Sequence, residues 1–149
     1  MDDQEAHTLN AAIRTIGMRH RALAGAALNR IGLSVGQEVL ITELFNHGPR
    51  TQAQLASAAG CEPPTITSAV QRLEAQGFVN RRASTTDRRA TVVELTTRGE
   101  ALLEDLAIEW RALAEESVAG LSRTSVEDLI EALTDLAASL KSARQRKRT

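Results

Sequence analysis

The segment between Pro63 and Glu74 combines an apolar repeat with polar side chains that can form directional hydrogen bonds. Its apolar residues Ile66, Val70 and Leu73 recur at helical spacing, which predicts a helix with one buried face. The opposite face and its flanks carry Pro64, Thr65, Thr67, Ser68, Gln71 and Arg72. Hydroxyl and amide groups on a narrow helix can bond to base edges in the major groove of a DNA duplex, although a solvated helix face has the same composition.

Two runs of β-forming residues follow that helix and enclose a basic loop. The runs are residues 78–82 and 91–95, and both are rich in apolar or β-branched residues. The seven residues 84–90 are more than a tight hairpin turn needs, so we expect them to project as a loop. This loop contains Asp87, Arg88 and Arg89.

The spacing of Asp87 and Arg89 suggests a way to hold the arginine outward. On an extended arm, residues two apart point to the same side, so the carboxylate could pair with the guanidinium. An arginine on a thin arm suits a narrow A·T-rich minor groove, and an ordinary solvated turn is the plainer alternative. The nearby Arg81, Arg82 and Arg88 are expected to contact phosphates or only to raise the local positive field.

The residues upstream must position the helix of residues 63–74. Thr51-x-x-Gln54 has the form of a capping box, and it opens a short helix that Gly60 ends. The interval after Gly60 then forms the turn of a helix-turn-helix. Thr51 and Gln52 stand at a helix N-terminus and are candidate phosphate contacts, although Thr51 serves equally well as a cap alone.

Capping signals also predict where the neighbouring helices begin. Ser34-x-x-Gln37 resembles a second capping box and is expected to open a helix. Thr96 or Thr97, with Glu100 as its partner, is expected to cap a long helix after the basic loop. The chain is therefore predicted to be mainly α-helical with a small β-wing, in the arrangement of a winged helix-turn-helix.

The outer helices carry apolar stripes that a small winged-helix core cannot absorb. These helices cover about residues 7–30 and 97–140. The stripe of the last helix is Val126, Leu129, Ile130, Leu133, Leu136 and Leu140. Because large unpaired apolar faces mark sites of association, we expect these helices to pack against a second copy of the chain.

Charge is distributed unevenly, although its sum is only -1. Six arginines and three acids lie in residues 72–98, whereas residues 99–140 hold ten acids and two arginines. Residues 141–149 add five positive charges and no acid. Because the local field governs docking onto phosphates, this pattern is compatible with a double-stranded DNA partner.

Composition excludes several other classes of protein. The chain of 149 residues fits one domain, and neither a signal region nor a membrane-spanning run is visible, which predicts a cytoplasmic protein. The three histidines have no partners at metal-ligand spacing. No nucleophile–base pair, phosphate loop or dinucleotide motif is present, so no enzymatic activity, metal or cofactor is expected.

Cys61 is the only cysteine, and it stands just before the polar helix. A helix N-terminus lowers the pKa of a thiol, so Cys61 could act as a redox switch. The simpler interpretation is a small residue that fills the core, because free cysteine is among the most buried residue types.

Several of these residues together resemble the MarR family of bacterial winged-helix regulators. The most specific piece is Asp87-x-Arg89, followed after five residues by Leu95-Thr96. The resemblance extends over nearly the whole chain, through Leu33-Ser34-x-x-Gln37, Gln54-Leu55-Ala56, residues 63–74 and Thr96-x-x-Gly99. Cys61 stands where relatives carry a small or aliphatic residue, which favours its interpretation as a core residue.

The resemblance implies a domain layout. Residues 1–149 would form a single domain, with a DNA-binding lobe at about 32–96. Such proteins pair as homodimers through their N- and C-terminal helices, here about 7–30 and 97–140, and residues 141–149 would form a basic tail. A two-fold dimer places its two groove-binding helices about one turn of DNA apart, so the operator should be a pseudo-palindrome.

The resemblance also implies a function. The protein would be a nucleoid-associated transcriptional repressor that a small molecule releases from its operator. Family members hold a small, often phenolic or lipophilic anion between the DNA-binding lobe and the dimerisation helices. His20 and Arg21 are weak candidates for binding it, against the alternative of a solvated helix face. Two other functions remain open, a winged-helix module for protein contacts and a thiol-based regulator that uses Cys61.

Overall fold

The order of helices and strands confirms the predicted winged helix-turn-helix flanked by longer helices. The computed structural model describes residues 1–146, except for the side chains of residues 144 and 145. Its elements are α1 (Asp3–Arg30), α2 (Gln37–His47), β1 (Arg50–Thr51), α3 (Gln52–Ala59), α4 (Pro63–Ala75), β2 (Val79–Ala83), β3 (Thr91–Leu95), α5 (Thr97–Val118) and α6 (Val126–Arg146). The last three residues of the predicted basic tail, 147–149, lie outside the described residues.

The chain divides into two compact units, Met1–Leu113 and Ala114–Thr149. The first contains the winged helix-turn-helix, α1 and most of α5, and the second contains the end of α5 and α6. The single domain 1–149 stays a prediction. No helix among the described residues is both long and apolar enough to cross a membrane.

A core of aliphatic side chains holds the helix-turn-helix together. The predicted stripe of α4 is buried, with Ile66, Val70 and Leu73 at most 2% exposed. These residues belong to one cluster with side chains from α1, α2, α3, the sheet and α5. That cluster includes Leu28, Leu40, Ile41, Leu55, Val93, Leu102 and Leu106. The inward face of α4 is therefore fixed, which leaves its polar face outward.

The sheet has three antiparallel strands in the order β1-β3-β2. β2 pairs with β3 from Val79 opposite Leu95 to Ala83 opposite Thr91. β1 was not predicted, because two residues are too few for an alternating pattern. β1 pairs Arg50 with Val93 and thereby joins the start of α3 to the wing.

The capping predictions met different outcomes. The Thr51–Gln54 box is complete, with Gln54 N donating to Thr51 Oγ1 at 3.2 Å and Thr51 N donating to Gln54 Oε1 at 2.9 Å. The Ser34 prediction is wrong in part: Gln37 Oε1 accepts from Ser34 N, but α2 starts only after Gly36. The reason is a tight turn in which Gln37 N donates to the carbonyl oxygen of Ser34.

Thr96 fastens the start of α5 to the end of α4. As predicted, its hydroxyl oxygen caps the helix by accepting from Gly99 N at 3.0 Å, although no bond from the Glu100 side chain completes a box among the described residues. The same hydroxyl donates to the carbonyl oxygen of Gly77 at 2.6 Å. Thr96 N donates to the Phe78 carbonyl oxygen at 3.0 Å, so the backbone of the α4–β2 turn is held directly.

Gly99 lies so close to this turn that no side chain fits there. A Cβ atom on Gly99 would lie 2.1 Å from the carbonyl oxygen of Phe78, which is backbone and cannot rotate away. We therefore expect Gly99→Ala to lower the free energy of unfolding by about 1–3 kcal/mol or more, measured by urea denaturation. Gly120→Ala is the control, since its Cβ would meet nothing within 4 Å. Equal unfolding midpoints for the two variants would contradict this packing.

Apolar side chains stay exposed on α1 and α6. On α6 the exposed part of the predicted stripe is Val126, Ile130, Leu133 and Leu140. On α1 the exposed large side chains are Leu9, Ile16, Met18 and Leu23. Their exposed fractions run from 42% to 66%, which is unusual for so many aliphatic residues on two helices.

Candidate nucleic-acid interface

The helix α4 presents the predicted polar face to solvent. Pro63 and Pro64 occupy its first turn, where a missing N–H costs nothing. The side chains that are exposed there are Pro64, Thr65, Ser68, Gln71 and Arg72. Hydroxyl, amide and guanidinium groups therefore share one accessible surface on a helix whose other face is locked into the core.

The other candidates on α3 and α4 are engaged in internal hydrogen bonds. The hydroxyl of Thr67 donates to the Pro63 carbonyl oxygen at 3.1 Å and lies 3.4 Å from Gln52 Oε1. The hydroxyl of Thr51 caps α3. Thr67 and Gln52 therefore link α4 to α3, whereas Thr51 orders the start of α3. Contact of all three residues with DNA stays a prediction.

The wing tip is a compact turn rather than an extended arm. Asp87 Oδ1 accepts from the backbone N–H of Arg89 at 2.9 Å, and Asp87 N donates to Ser84 Oγ at 3.2 Å. Ala90 N closes the turn on the Asp87 carbonyl oxygen at 3.0 Å. The predicted ion pair between Asp87 and the Arg89 guanidinium is therefore wrong, because the carboxylate binds the backbone two residues ahead.

Arg88 and Arg89 project from this turn. Both are exposed, and within residues 1–146 neither forms an ion pair with a carboxylate. Two uncompensated guanidinium groups at the tip of a hairpin can bind phosphate oxygens or enter a minor groove. The shape of the wing, rather than a partner for the side chain, directs them outward.

The role of Asp87 in the turn leads to a testable difference between two substitutions. Asp87→Asn keeps an oxygen that can accept from Arg89 N, so we expect DNA affinity equal to or above that of the wild type. Asp87→Ala removes the acceptor and loosens the turn, so affinity should fall about threefold to tenfold. Fluorescence anisotropy with labelled duplex measures both, and a loss of the same size in Asp87→Asn would mean that the charge matters instead.

The two arginines of β2 have carboxylate partners. Arg81 contacts Glu74 of α4, with its Nη2 atom 2.6 Å from Glu74 Oε2. Arg82, which lies opposite Val92 in the ladder, pairs diagonally with Glu94 of β3, with 3.4 Å between Arg82 Nε and Glu94 Oε2. The hydrogen bond from Arg81 holds the pKa of the Glu74 carboxyl below its ordinary value. The free positive charge of the wing is thus concentrated at Arg88 and Arg89.

A cavity of about 670 Å³ lies beside α4 within the unit Met1–Leu113, and Thr65 and Ser68 of the polar face are among the residues that line it. Apolar side chains of α2 and α4 line it together with Arg21 of α1 and Arg72 of α4. Gln37, which is 5% exposed, also reaches this cavity. His20, the other predicted effector contact, is exposed and is not among the residues that line the cavity.

The prediction that Cys61 fills the core is wrong. It is exposed and lines the cavity, so it does not fill the core. Gly60 adopts a left-handed conformation with φ of 62°, and Cys61 N donates to the Ala56 carbonyl oxygen at 3.1 Å. This turn directs the thiol outward, where Sγ lies 3.4 Å from the Ala59 carbonyl oxygen. Residue size alone could not reveal the orientation.

The protein has the architecture of a winged helix-turn-helix. Its α4 packs one face into the core and exposes a polar face, and a cationic hairpin follows. A sequence model of the MarR family matches residues 33–91, which covers α2 to the start of β3. The chain belongs to the MarR family of transcriptional regulators.

One curated relative supports this assignment, and two solved structures share the fold. The HTH-type transcriptional repressor NicR of Pseudomonas putida is 33% identical over 120 residues, which cover 80% of this chain and 73% of NicR. BpsR of Bordetella bronchiseptica, whose DNA binding is regulated by 6-hydroxynicotinic acid, has a TM-score of 0.74 at 21% identity, covering 87% of this chain and 98% of BpsR. A mutant MarR of E. coli complexed with operator DNA has a TM-score of 0.75 at 21% identity, covering 91% and 99%.

Proposed function

We propose that this regulator is a homodimeric repressor that binds a pseudo-palindromic operator and is released by a small anionic effector. The observation that carries the proposal is the polar outer face of α4 beside the uncompensated Arg88 and Arg89 of the wing. The helix would read the major groove, and the wing would bind the adjacent minor groove or its phosphates. Such a protein acts in the cytoplasm, where the nucleoid lies.

The candidate DNA contacts fall into three groups. Thr65, Ser68 and Gln71 on α4 would hydrogen-bond to bases, with Pro64 beside them and Arg72 at the edge of the groove. Arg88 and Arg89 would provide the positive charge of the wing. Gln52 and Thr67 would contribute mainly by fixing α3 against α4, and Thr51 by capping α3.

The exposed apolar side chains of α1 and α6 support a dimer. Burying one leucine stabilises an interface by about 1.5–3 kcal/mol, and a two-fold axis counts every contact twice. Two copies would then hold their α4 helices about 34 Å apart, as one turn of B-form DNA requires. The complex of a mutant E. coli MarR, which has a similar fold, with operator DNA supports DNA as the partner.

The cavity beside α4 supports an effector. Arg21 and Arg72 offer two guanidinium groups beside apolar walls, which suits a small aromatic ring that carries a carboxylate. The regulation of BpsR by 6-hydroxynicotinic acid supports this ligand class. A ligand that prefers one spacing of the two wings lowers operator affinity by that difference in binding.

A binding titration tests the DNA-binding proposal. Duplexes that the protein selects from a random pool should share an inverted repeat, and affinity for them should fall steeply as salt rises from 50 to 200 mM, because counterions are released. An absence of binding at low salt would overturn the proposal and favour a winged-helix module for protein contacts.

The effector is tested with 6-hydroxynicotinic acid as the first probe. Calorimetry on the DNA-free protein should detect binding, and the probe should release the operator duplex. Arg21→Gln should weaken probe binding about tenfold or more and leave DNA affinity near that of the wild type. Unchanged probe binding in Arg21→Gln would contradict the assignment of this cavity.

A further inference from the structure

An ion pair connects the recognition helix to the wing. Both Nε and Nη2 of Arg81 contact the same carboxylate oxygen, Glu74 Oε2, at 2.7 Å and 2.6 Å. The two side chains are 33% and 35% exposed, so the pair lies at the surface between helix and wing. Glu74 lies near the end of α4 and Arg81 lies in β2, so the contact spans two elements.

The backbone between those elements turns at a glycine. Gly77 adopts a φ of 79°, and it stands between the last turn of α4 and the start of β2. A side-chain contact across this turn adds a second connection to the one that the backbone makes. The angle between helix and wing decides whether both can reach their grooves on one duplex.

We propose that the Glu74–Arg81 ion pair sets the angle between the wing and α4. Glu74, although acidic, would then raise affinity for DNA. The inference rests on the proposed function. It also changes the role of Arg81, which becomes a positioning residue rather than a phosphate contact. If Arg81 turned to a phosphate, it would leave the Glu74 carboxylate unpaired close to the DNA.

The expected change in DNA affinity on removal of Glu74 has an unusual sign. Removing an acid near a DNA-binding surface ordinarily strengthens binding, because it lowers electrostatic repulsion. Here Glu74→Ala should weaken operator binding about fivefold or more, and Arg81→Ala should weaken it by a similar factor. The double variant should bind no more weakly than either single variant, because both remove one interaction. The reciprocal exchange, Glu74→Arg with Arg81→Glu, should recover part of the affinity.

The chain offers a matched control. Glu94→Ala removes the same charge from the pair Glu94–Arg82, which lies within the hairpin. Because the ladder of β2 and β3 already fixes that geometry, Glu94→Ala should bind operator DNA as tightly as the wild type or more tightly. Urea denaturation and sedimentation on every variant separate a loss of folding or of assembly from a loss of affinity.

Salt dependence separates a positioning role from a phosphate contact. If Arg81 neutralises a phosphate, Arg81→Ala should reduce the slope of log affinity against log salt by about one. The proposal expects an unchanged slope. Tighter binding by Glu74→Ala, or a reduced slope in Arg81→Ala, would overturn the inference while the wild type still binds its operator. A wild type that binds no duplex would overturn the inference together with the proposed function.

Discussion

Arg89→Ala is expected to weaken operator binding by about 1–3 kcal/mol, or roughly 5- to 150-fold, while helical content and dimerisation stay unchanged. The guanidinium of Arg89 stands at the tip of the wing without a carboxylate partner among residues 1–146. Its removal therefore costs no internal contact of the side chain, and the whole loss falls on the complex. Fluorescence anisotropy with a labelled operator duplex gives the affinity directly.

The control for Arg89→Ala is Arg111→Ala, which removes the same charge from an exposed position on α5. We expect its operator affinity to stay within about twofold of the wild type, because distant exposed charges are largely screened at physiological salt. Equal losses in the two variants would mean that only net charge matters. An Arg89→Ala protein that binds as tightly as the wild type would remove the wing from the interface.

Leu133→Glu is expected to convert the dimer into monomers and to lower operator affinity about 100-fold or more. Leu133 belongs to the exposed apolar stripe of α6, and a carboxylate there would be buried without a partner in both copies. Operator affinity depends on the dimer because a linked second half-site multiplies affinity about 10²–10⁴-fold. Sedimentation gives the mass in solution, and anisotropy gives the affinity of the same sample.

Ala138→Glu is the matched control for the dimer. Helical periodicity places Ala138 on the face of α6 opposite the stripe, so the same new charge meets water. Its mass in solution and its operator affinity should match those of the wild type. A Leu133→Glu protein that stays dimeric would show that α6 contributes little to the interface.

The parts of the interface that depend on a repeated pattern of apolar residues could be predicted from the sequence. The repeat of Ile66, Val70 and Leu73 predicted the buried face of α4, and the outward residues followed from it. The strand 91–95 and the loop 84–90 were also predicted, because β-branched runs and turn-forming residues are distinct there. Burial of one face is a strong constraint, so it leaves a clear periodic signal.

The predictions that failed depend on single side chains or on a few backbone angles. Asp87 bonds to the backbone of Arg89 because the chain turns at that point, and spacing along a strand could not show the turn. Cys61 points outward because Gly60 before it is left-handed. The partner of Arg81 is Glu74, which lies seven residues earlier on α4, so only the fold brings the two charges together.

The joint around Gly99 has a mechanical consequence for regulation. Thr96 and Gly99 bring the first turn of α5 against the backbone of Gly77 and Phe78. No side chain lies between Gly99 and the Phe78 carbonyl, so a movement of α5 is transmitted directly to that backbone. A rotation of α5 is therefore expected to rotate α4 and the wing in the same direction. An effector that rotates α5 by a few degrees would move both DNA-binding tips, and neither could adjust alone.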